Sequence, residues 1–142
     1  MRMDENLADL VAAIGAALPD RCALVCDGDR LSYPELTARS NQVAQHLAAA
    51  GLAPDEPVGL YLLNSAAYIE ALLGCMVART IPVNINYRYT GHELAQLLGG
   101  AQLAGLVVDA EHAGLAAAVA PSCPTLRHVL ITGRDPAATA GP

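Results

Sequence analysis

Short apolar runs follow one another along this chain, separated by longer segments with helical periodicity, and this pattern constrains the fold most. The runs lie at residues 58–63, 81–85, 106–108 and 129–131. Continuous apolar runs are typical of strands that are covered on both faces of a parallel sheet. Helices are predicted between them at residues 65–78, from Thr90 onward, and at residues 111–120. Because strand, helix and parallel strand form a βαβ unit, the sequence predicts an α/β fold with a parallel sheet flanked by helices.

The first fifty residues predict an N-terminal helix and a small β-hairpin that precede the sheet. Residues 6–18 carry leucine, valine and isoleucine at helical spacing and end before a proline. An Asp-Gly-Asp turn at 27–29 separates two short apolar runs, which is typical of a hairpin. Ser32 and Glu35 have the spacing of a capping box, so a second helix is predicted to begin there.

The composition fits a folded protein and disfavours several classes of function. The chain is 54% hydrophobic and has a formal net charge of −6, so it offers material for a core but no basic face for nucleic acid. No apolar run reaches the roughly 18 to 20 residues needed to span a bilayer, so no transmembrane segment is predicted. Asp4 and Glu5 stand where a secretory signal peptide would be basic. The sequence therefore predicts a cytoplasmic protein that does not bind nucleic acid.

Motifs for nucleotide and nucleophile chemistry are absent from the sequence. All eight basic residues are arginine, so there is no lysine to hold a phosphate or to form a Schiff base. The turn after residues 58–63 reads Asn64-Ser65-Ala66 in place of G-x-G-x-x-G, and no P-loop or G-x-S-x-G motif occurs. The cysteines and histidines lack metal-site spacing, so we predict reduced, buried thiols and solvated or capping histidines. Residue chemistry alone predicts no catalytic residue and no metal ligand.

Three segments carry a resemblance to a known family. They read LSYPELTARSNQVAQHLAAAGL, PVGLYLLNSAAYIEALLGCMVARTIPVNINYRYTGHELAQLL and AGLVVDAEH. In this order they resemble the N-terminal region of the adenylate-forming superfamily, which comprises acyl-CoA synthetases, adenylation domains and luciferases. The resemblance covers roughly residues 20–132, and the form VNINYRYTGHEL is most similar to fatty-acyl-CoA synthetases.

The resemblance implies that the chain is a part of a larger enzyme. Members of the family use ATP and Mg²⁺ to convert a carboxylic acid to an acyl-adenylate, and then transfer the acyl group to the thiol of CoA. Their phosphate loop and essential lysine lie later in the chain than the segments matched here. We therefore expect residues 1–132 to be an N-terminal portion of the large AMP-binding domain and residues 133–142 to be a flexible tail or linker. We expect this fragment alone to be inactive and to bind none of ATP, Mg²⁺ and CoA tightly.

Two other functions stay open at this point. An adenylation domain that loads a carrier protein would share the same motifs. A non-catalytic α/β remnant or interaction module would retain only the sheet. These residues determine neither the acyl-chain length of the substrate nor the oligomeric state.

Arg88 is the candidate for contact with a cofactor. It matches the arginine of the family's N-x-R-x-T segment, which in some CoA ligases approaches the nucleotide phosphates of CoA, and a guanidinium near a helix N-terminus suits a phosphate. The alternative is a solvated arginine paired with Glu93. Asn64 is predicted to cap the helix that follows it rather than to touch substrate. Tyr87 and Tyr89 are predicted to pack against the rest of the larger domain.

Overall fold

A computed structural model describes residues 5–133, which form six strands and five α-helices. In chain order the elements are α1 (Leu7–Ala17), β1 (Cys22–Cys26), β2 (Asp29–Ser32), α2 (Tyr33–Ala49), β3 (Pro57–Tyr61), α3 (Ala66–Val77), β4 (Ile81–Asn84), α4 (Gly91–Ala101), β5 (Gly105–Asp109), α5 (Ala113–Val119), a 3₁₀ turn (Ala120–Ser122) and β6 (His128–Thr132). The predicted tail at 133–142 lies, apart from Gly133, outside the described residues.

The four later strands form a parallel sheet in the order β4-β3-β5-β6. β3 is central, with Gly59 opposite Val83 of β4 on one side and Leu106 of β5 on the other. The chain passes from β3 through α3 to β4, returns past β3 through α4 to β5, and continues through α5 to β6. The predicted parallel sheet flanked by helices is confirmed.

Alternate residues of the central strands enter two separate cores. Leu60 and Val107 pack with buried residues of α2 and α3. Tyr61 and Leu106 pack with buried residues of α4 and α5 on the opposite face. Both faces of β3 and β5 are therefore covered, which explains why their sequences are apolar at successive positions.

The predicted N-terminal helix and hairpin are also confirmed. β1 and β2 pair antiparallel, and the turn between them places Asp27 and Gly28 at positive φ, 51° and 88°. Aspartate and glycine tolerate this backbone conformation better than other residues, which is why an Asp-Gly pair marks such a hairpin. At the start of α2, the backbone N–H of Ser32 donates to Oε2 of Glu35 at 2.7 Å, and the N–H of Glu35 donates to the Ser32 hydroxyl at 3.3 Å. These two bonds form the predicted capping box.

Two element boundaries differ from the sequence prediction for one shared reason. β3 ends at Tyr61, two residues before the apolar run ends, because the N–H of Leu63 turns to the carboxylate of Asp109. α5 begins two residues later than predicted, at Ala113, because the same carboxylate accepts the N–H of His112. Hydrogen bonds to a side chain here replace regular backbone pairing.

α3 is only partly buried, although its sequence is apolar at most positions. Its fully buried residues are Ala71, Leu73, Gly74 and Cys75, whereas Val77 is exposed. Apolar side chains also remain exposed on both outer strands of the described sheet, with Ile81 of β4 at 49% and Ile131 of β6 at 55%. The described residues thus leave apolar surface uncovered at both sides of the sheet.

Candidate functional site at the carboxyl edge of the sheet

The carboxyl ends of β3, β4 and β5 lie side by side at one edge of the sheet. The chain leaves β3 toward β4 on one side and later comes to β5 on the other, so the strand order reverses between β3 and β5. In open α/β sheets, ligands bind outside the carboxyl ends of the strands at such a reversal. The loops at residues 62–65, 85–90 and 110–112 therefore make up the candidate site.

The first of these loops ends at Ser65, which caps α3. Ser65 has extended backbone (φ −157°, ψ 170°), and its hydroxyl accepts the N–H of Tyr68 at 3.2 Å. An N-cap residue needs this backbone conformation and a side-chain oxygen that reaches the first turn. The prediction that Asn64 caps this helix is therefore wrong. Asn64 is exposed instead and lines a cavity.

This cavity, of about 330 Å³, opens between the loop after β3 and the loop after β4. Amide and phenol groups line it together with two aliphatic side chains: Leu62, Asn64, Tyr68, Asn84, Ile85, Asn86 and Tyr87. The Tyr68 hydroxyl donates to Oδ1 of Asn84 at 3.0 Å. The residues that line this cavity are all uncharged, and most of them are polar.

Arg88 lies on the exposed turn between β4 and α4, beside this cavity. Its N–H donates to Oδ1 of Asn86 at 3.0 Å, and its guanidinium carbon is 5.5 Å from the centroid of the Tyr87 ring. The alternative prediction is half right, since Arg88 is solvated but forms no ion pair with Glu93. The Glu93 carboxylate instead accepts the N–H and the hydroxyl of Thr90, at 2.8 and 3.0 Å. No ion pair of Arg88 is found within residues 5–133, so its charge is available to an anion.

Asp109 joins the loops that follow β3 and β5. Its Oδ2 accepts the N–H of Leu63 at 3.0 Å, and its Oδ1 accepts the N–H of His112 at 3.0 Å. The same Oδ1 lies 2.6 Å from Nδ1 of His112. Partial burial opposes ionisation, but the hydrogen bonds from Leu63 and His112 outweigh it and hold the pKa of Asp109 below its usual range. Because an ionised carboxylate only accepts, Nδ1 of His112 carries the proton.

Tyr61 lies between the Asp109–His112 pair and the turn that carries Arg88. Its side chain is buried, with 1% of the residue exposed. The ring of His112 meets it edge-on, with 4.9 Å between the ring centroids. The Tyr61 hydroxyl lies 3.3 Å from the carbonyl oxygen of Tyr89 and 3.5 Å from that of Tyr87, and these two acceptors share its single proton. Burial and, to a lesser degree, the charge of Asp109 raise the pKa of Tyr61, so the phenol remains a donor.

Tyr87 and Tyr89 are half-buried, and both pack against the core formed with α4 and α5. Their burial therefore comes from this chain itself, which differs from the prediction that they pack against the rest of a larger domain. The two half-buried tyrosines leave Arg88 exposed between them.

Comparison with known proteins decides the family. The family model described as AMP-binding enzyme matches residues 11–142. The chain belongs to this AMP-binding enzyme family. The predicted resemblance to adenylate-forming enzymes is confirmed.

Relatives of this AMP-binding chain are ligases. It is 36% identical over 126 residues to a medium/long-chain-fatty-acid–CoA/3-oxocholest-4-en-26-oate–CoA ligase of Mycobacterium tuberculosis, across 89% of this chain and 23% of that protein. It is 39% identical over 80 residues to a fatty acid–[acyl-carrier-protein] ligase of Streptomyces coeruleorubidus, across 56% of this chain and 15% of that protein. The chain thus spans only a minor part of the length of the curated relatives it matches.

A solved structure shares the fold of the AMP-binding chain. The fatty acyl CoA synthetase of Mycobacterium tuberculosis superposes with a TM-score of 0.84 over 92% of this chain and 27% of that one. The two sequences are 22% identical in this alignment, so the likeness shows the fold alone.

The described residues offer neither a metal-ligating cluster nor a lysine. Within residues 5–133, no group of three or more histidine, cysteine, aspartate or glutamate side chains is placed to hold a metal ion. The sequence has no lysine to pair with a triphosphate. The carboxyl edge of this AMP-binding chain instead offers one exposed arginine beside a neutral polar cavity.

The four cysteines of the AMP-binding chain are free thiols. Cys75 and Cys123 are buried, and Cys22 and Cys26 are half-buried. Burial raises the pKa of Cys75 to about 11, so its thiol is neutral near pH 7. Among the described residues, no helix is both long enough and apolar enough to cross a membrane.

Sequence reasoning missed Tyr61, Asp109 and His112 as members of the site. The available signal was an aspartate directly after an apolar run, followed three residues later by a histidine. That spacing alone does not show which strand lies next to β5. The contact with Leu63 follows only once β3 and β5 are known to be neighbours.

Proposed function

We propose that this chain is the N-terminal part of an ATP-dependent acyl-CoA synthetase that activates a carboxylic acid, in particular a fatty acid, and transfers it to CoA. The observation that carries the proposal is the 36% identity to a fatty-acid–CoA ligase across 89% of this chain. Because the chain spans 23% of that protein, catalysis belongs to the whole enzyme. In this proposal residues 1–132 form the N-terminal portion of the AMP-binding domain and residues 133–142 continue as a linker.

The proposed reaction has two steps. A carboxylate oxygen attacks the α-phosphorus of ATP, which gives an acyl-adenylate and releases pyrophosphate. The CoA thiol then loses its proton and attacks the acyl carbonyl carbon, and AMP leaves as the thioester forms. ATP and Mg²⁺ bind to later parts of the enzyme in this proposal, since the described residues lack a triphosphate lysine and a metal site.

Arg88 acts in the second step, by binding a phosphate of CoA. Its guanidinium is exposed, unpaired among the described residues, and adjacent to a cavity without acidic lining. A guanidinium presents several N–H donors in a plane and binds phosphate oxygens through charge-assisted bonds. The amide side chains that line the cavity are neutral, so they do not neutralise the positive charge of Arg88. Arg88 therefore holds CoA but has no role while the adenylate forms.

A carrier protein is the second candidate acceptor. The 39% identity to a fatty acid–[acyl-carrier-protein] ligase over 80 residues favours it. A carrier protein presents its thiol on a pantetheine arm without the nucleotide of free CoA, so Arg88 would have no CoA nucleotide phosphate to bind. The third possibility is a non-catalytic module that retains only the α/β fold.

The acceptor assay tests these functions against one another. The complete enzyme is incubated with ATP, Mg²⁺ and a series of fatty acids, with either CoA or a pantetheinylated carrier protein as acceptor. Mass spectrometry then detects acyl-CoA or acyl-carrier protein. Acyl-CoA formation with release of AMP supports the proposal, acylation of the carrier alone supports the second candidate, and the absence of both products supports the module.

We also propose a cytoplasmic location for the enzyme. Its four free thiols suit a reducing compartment. Fractionation of cells that express the complete enzyme tests this location, and recovery with the membrane or secreted fraction would contradict it.

A further inference from the structure

The turn that carries Arg88 contacts the buried side chain of Tyr61, which belongs to β3. Residues 86–89 form a turn in which the N–H of Tyr89 donates to the carbonyl of Asn86 at 3.0 Å. The carbonyls of Tyr87 and Tyr89, on either side of Arg88, both face the hydroxyl of Tyr61. Tyr61 ends β3, so the end of the central strand contacts the backbone on both sides of the arginine.

The orientation of Tyr61 is in turn fixed by neighbours at the end of β5. His112 packs edge-on against its ring at 4.9 Å, and Asp109 holds the imidazole through a 2.6 Å contact. The other oxygen of Asp109 is bonded to the N–H of Leu63, two residues beyond Tyr61. His112 therefore supports the ring, and Asp109 ties the loop after Tyr61 to the end of β5.

We propose that Tyr61 is a positioning residue for Arg88. Its hydroxyl fixes the conformation of the turn at residues 86–89, and this turn orients the guanidinium toward the acceptor substrate. This inference rests on the proposed role of Arg88. A buried hydroxyl without partners is costly, so the bond to the turn is retained in the folded protein. Tyr61 does not touch the substrate, since it is 1% exposed; it acts on binding through the backbone of Tyr87 and Tyr89.

Tyr61→Phe tests the inference because it removes only the hydroxyl and leaves the ring in the core. Tyr33→Phe is the matched control, since Tyr33 lies at the start of α2, next to Gly15 of α1. In the complete enzyme, Tyr61→Phe is expected to raise the KM for CoA by about two- to tenfold, the range for loss of one neutral hydrogen bond. Pyrophosphate exchange, which reports adenylate formation, is expected to stay at the wild-type rate in both variants.

A double-mutant cycle separates positioning from a general loss of packing. If Tyr61 acts through Arg88, Tyr61→Phe has no further effect on the KM for CoA once Arg88 is replaced by alanine. An effect of the same size in both backgrounds would overturn the inference. So would a parallel loss of both half-reactions in Tyr61→Phe, because damage to the fold does not select one substrate.

Amide hydrogen exchange distinguishes failure of this inference from failure of the proposed role of Arg88. Tyr61→Phe is expected to speed exchange of the Arg88 and Tyr89 amides, whereas Tyr33→Phe leaves them unchanged. Faster exchange with no change in the KM for CoA in Tyr61→Phe would overturn the inference, whereas a KM for CoA that Arg88→Ala also leaves unchanged would remove the proposed role of Arg88. Unchanged exchange in Tyr61→Phe would overturn the inference directly.

Discussion

The carboxylate of Asp109 accepts the backbone N–H of Leu63 at 3.0 Å, across 46 residues of chain. Regular pairing between β3 and β5 ends with Tyr61 opposite Val108. The side chain of Asp109 therefore extends the link between the two strands beyond the last backbone pair, at the point where the strand order reverses. The loops of the candidate site depend on this link for their position.

Asp109→Asn is expected to change how stability depends on pH. The pKa of Asp109 in the folded protein lies below its ordinary value of 3.8, so the ionised form contributes stability above that pH. This contribution is lost as the pH falls through the folded-state pKa. The variant should thus be less stable than wild type at pH 7, and the difference should shrink on acidification below about pH 4.

Urea unfolding of the chain from pH 3 to pH 7 measures this difference. Asp29→Asn is the control, because Asp29 is an exposed aspartate of the β2 strand. A gap between wild type and Asp109→Asn that is independent of pH would show that the charge of Asp109 does not stabilise the fold.

Ser65→Ala is expected to lower the free energy of unfolding by about 1 kcal/mol, because it removes the side-chain oxygen that caps α3. Asn64→Ala, one residue earlier, is expected to stay within about 0.5 kcal/mol of wild type, since Asn64 is exposed. Chemical denaturation of the two variants measures both values. A larger loss at Asn64 than at Ser65 would reverse the assignment of the cap.

Gly74→Ala is expected to destabilise the contact between α2 and α3. An added Cβ at Gly74 would lie 2.6 Å from Cβ of Val43 and 2.9 Å from the backbone oxygen of Ser40. The strain of such overpacking, about 1 to 3 kcal/mol, exceeds the gain in helix propensity of about 1 kcal/mol. Gly100→Ala in α4 meets nothing within 4 Å and should raise stability by up to about 1 kcal/mol. Thermal unfolding of the two variants should therefore move in opposite directions, and a shared direction would contradict the packing described here.

The sheet, the cap at Ser32 and the bonds between Thr90 and Glu93 at the start of α4 follow from local patterns in the sequence. The local patterns are apolar runs covered on both faces, an Asp-Gly turn, and a Ser-x-x-Glu or Thr-x-x-Glu spacing. Each of them depends on residues close together in the chain. The contacts of Tyr61 and Asp109 depend instead on which strands are neighbours, so periodicity does not reveal them. The cap of α3 was misplaced by one residue because Asn64 and Ser65 are both good caps, and only the extended backbone at Ser65 distinguishes them.

The chain of 142 residues is expected to catalyse no fatty-acid-dependent exchange between ATP and pyrophosphate. It has no lysine, and residues 5–133 hold no metal site for Mg²⁺. Radiolabelled pyrophosphate incorporation, measured beside the complete enzyme, checks this expectation. Acid-dependent exchange above a mock preparation would place adenylate formation within these residues.

The two half-reactions of an Arg88→Ala enzyme test the central claim most directly. Arg30→Ala, an exposed arginine of the hairpin, is the matched control. Loss of a charge-assisted bond of about 1.5 to 3 kcal/mol should raise the KM for CoA at least about tenfold, while pyrophosphate exchange stays at the wild-type rate. A KM for CoA that is unchanged, or a loss of both half-reactions together, would contradict the assignment of Arg88 and of this edge of the sheet to the thiol-transfer step.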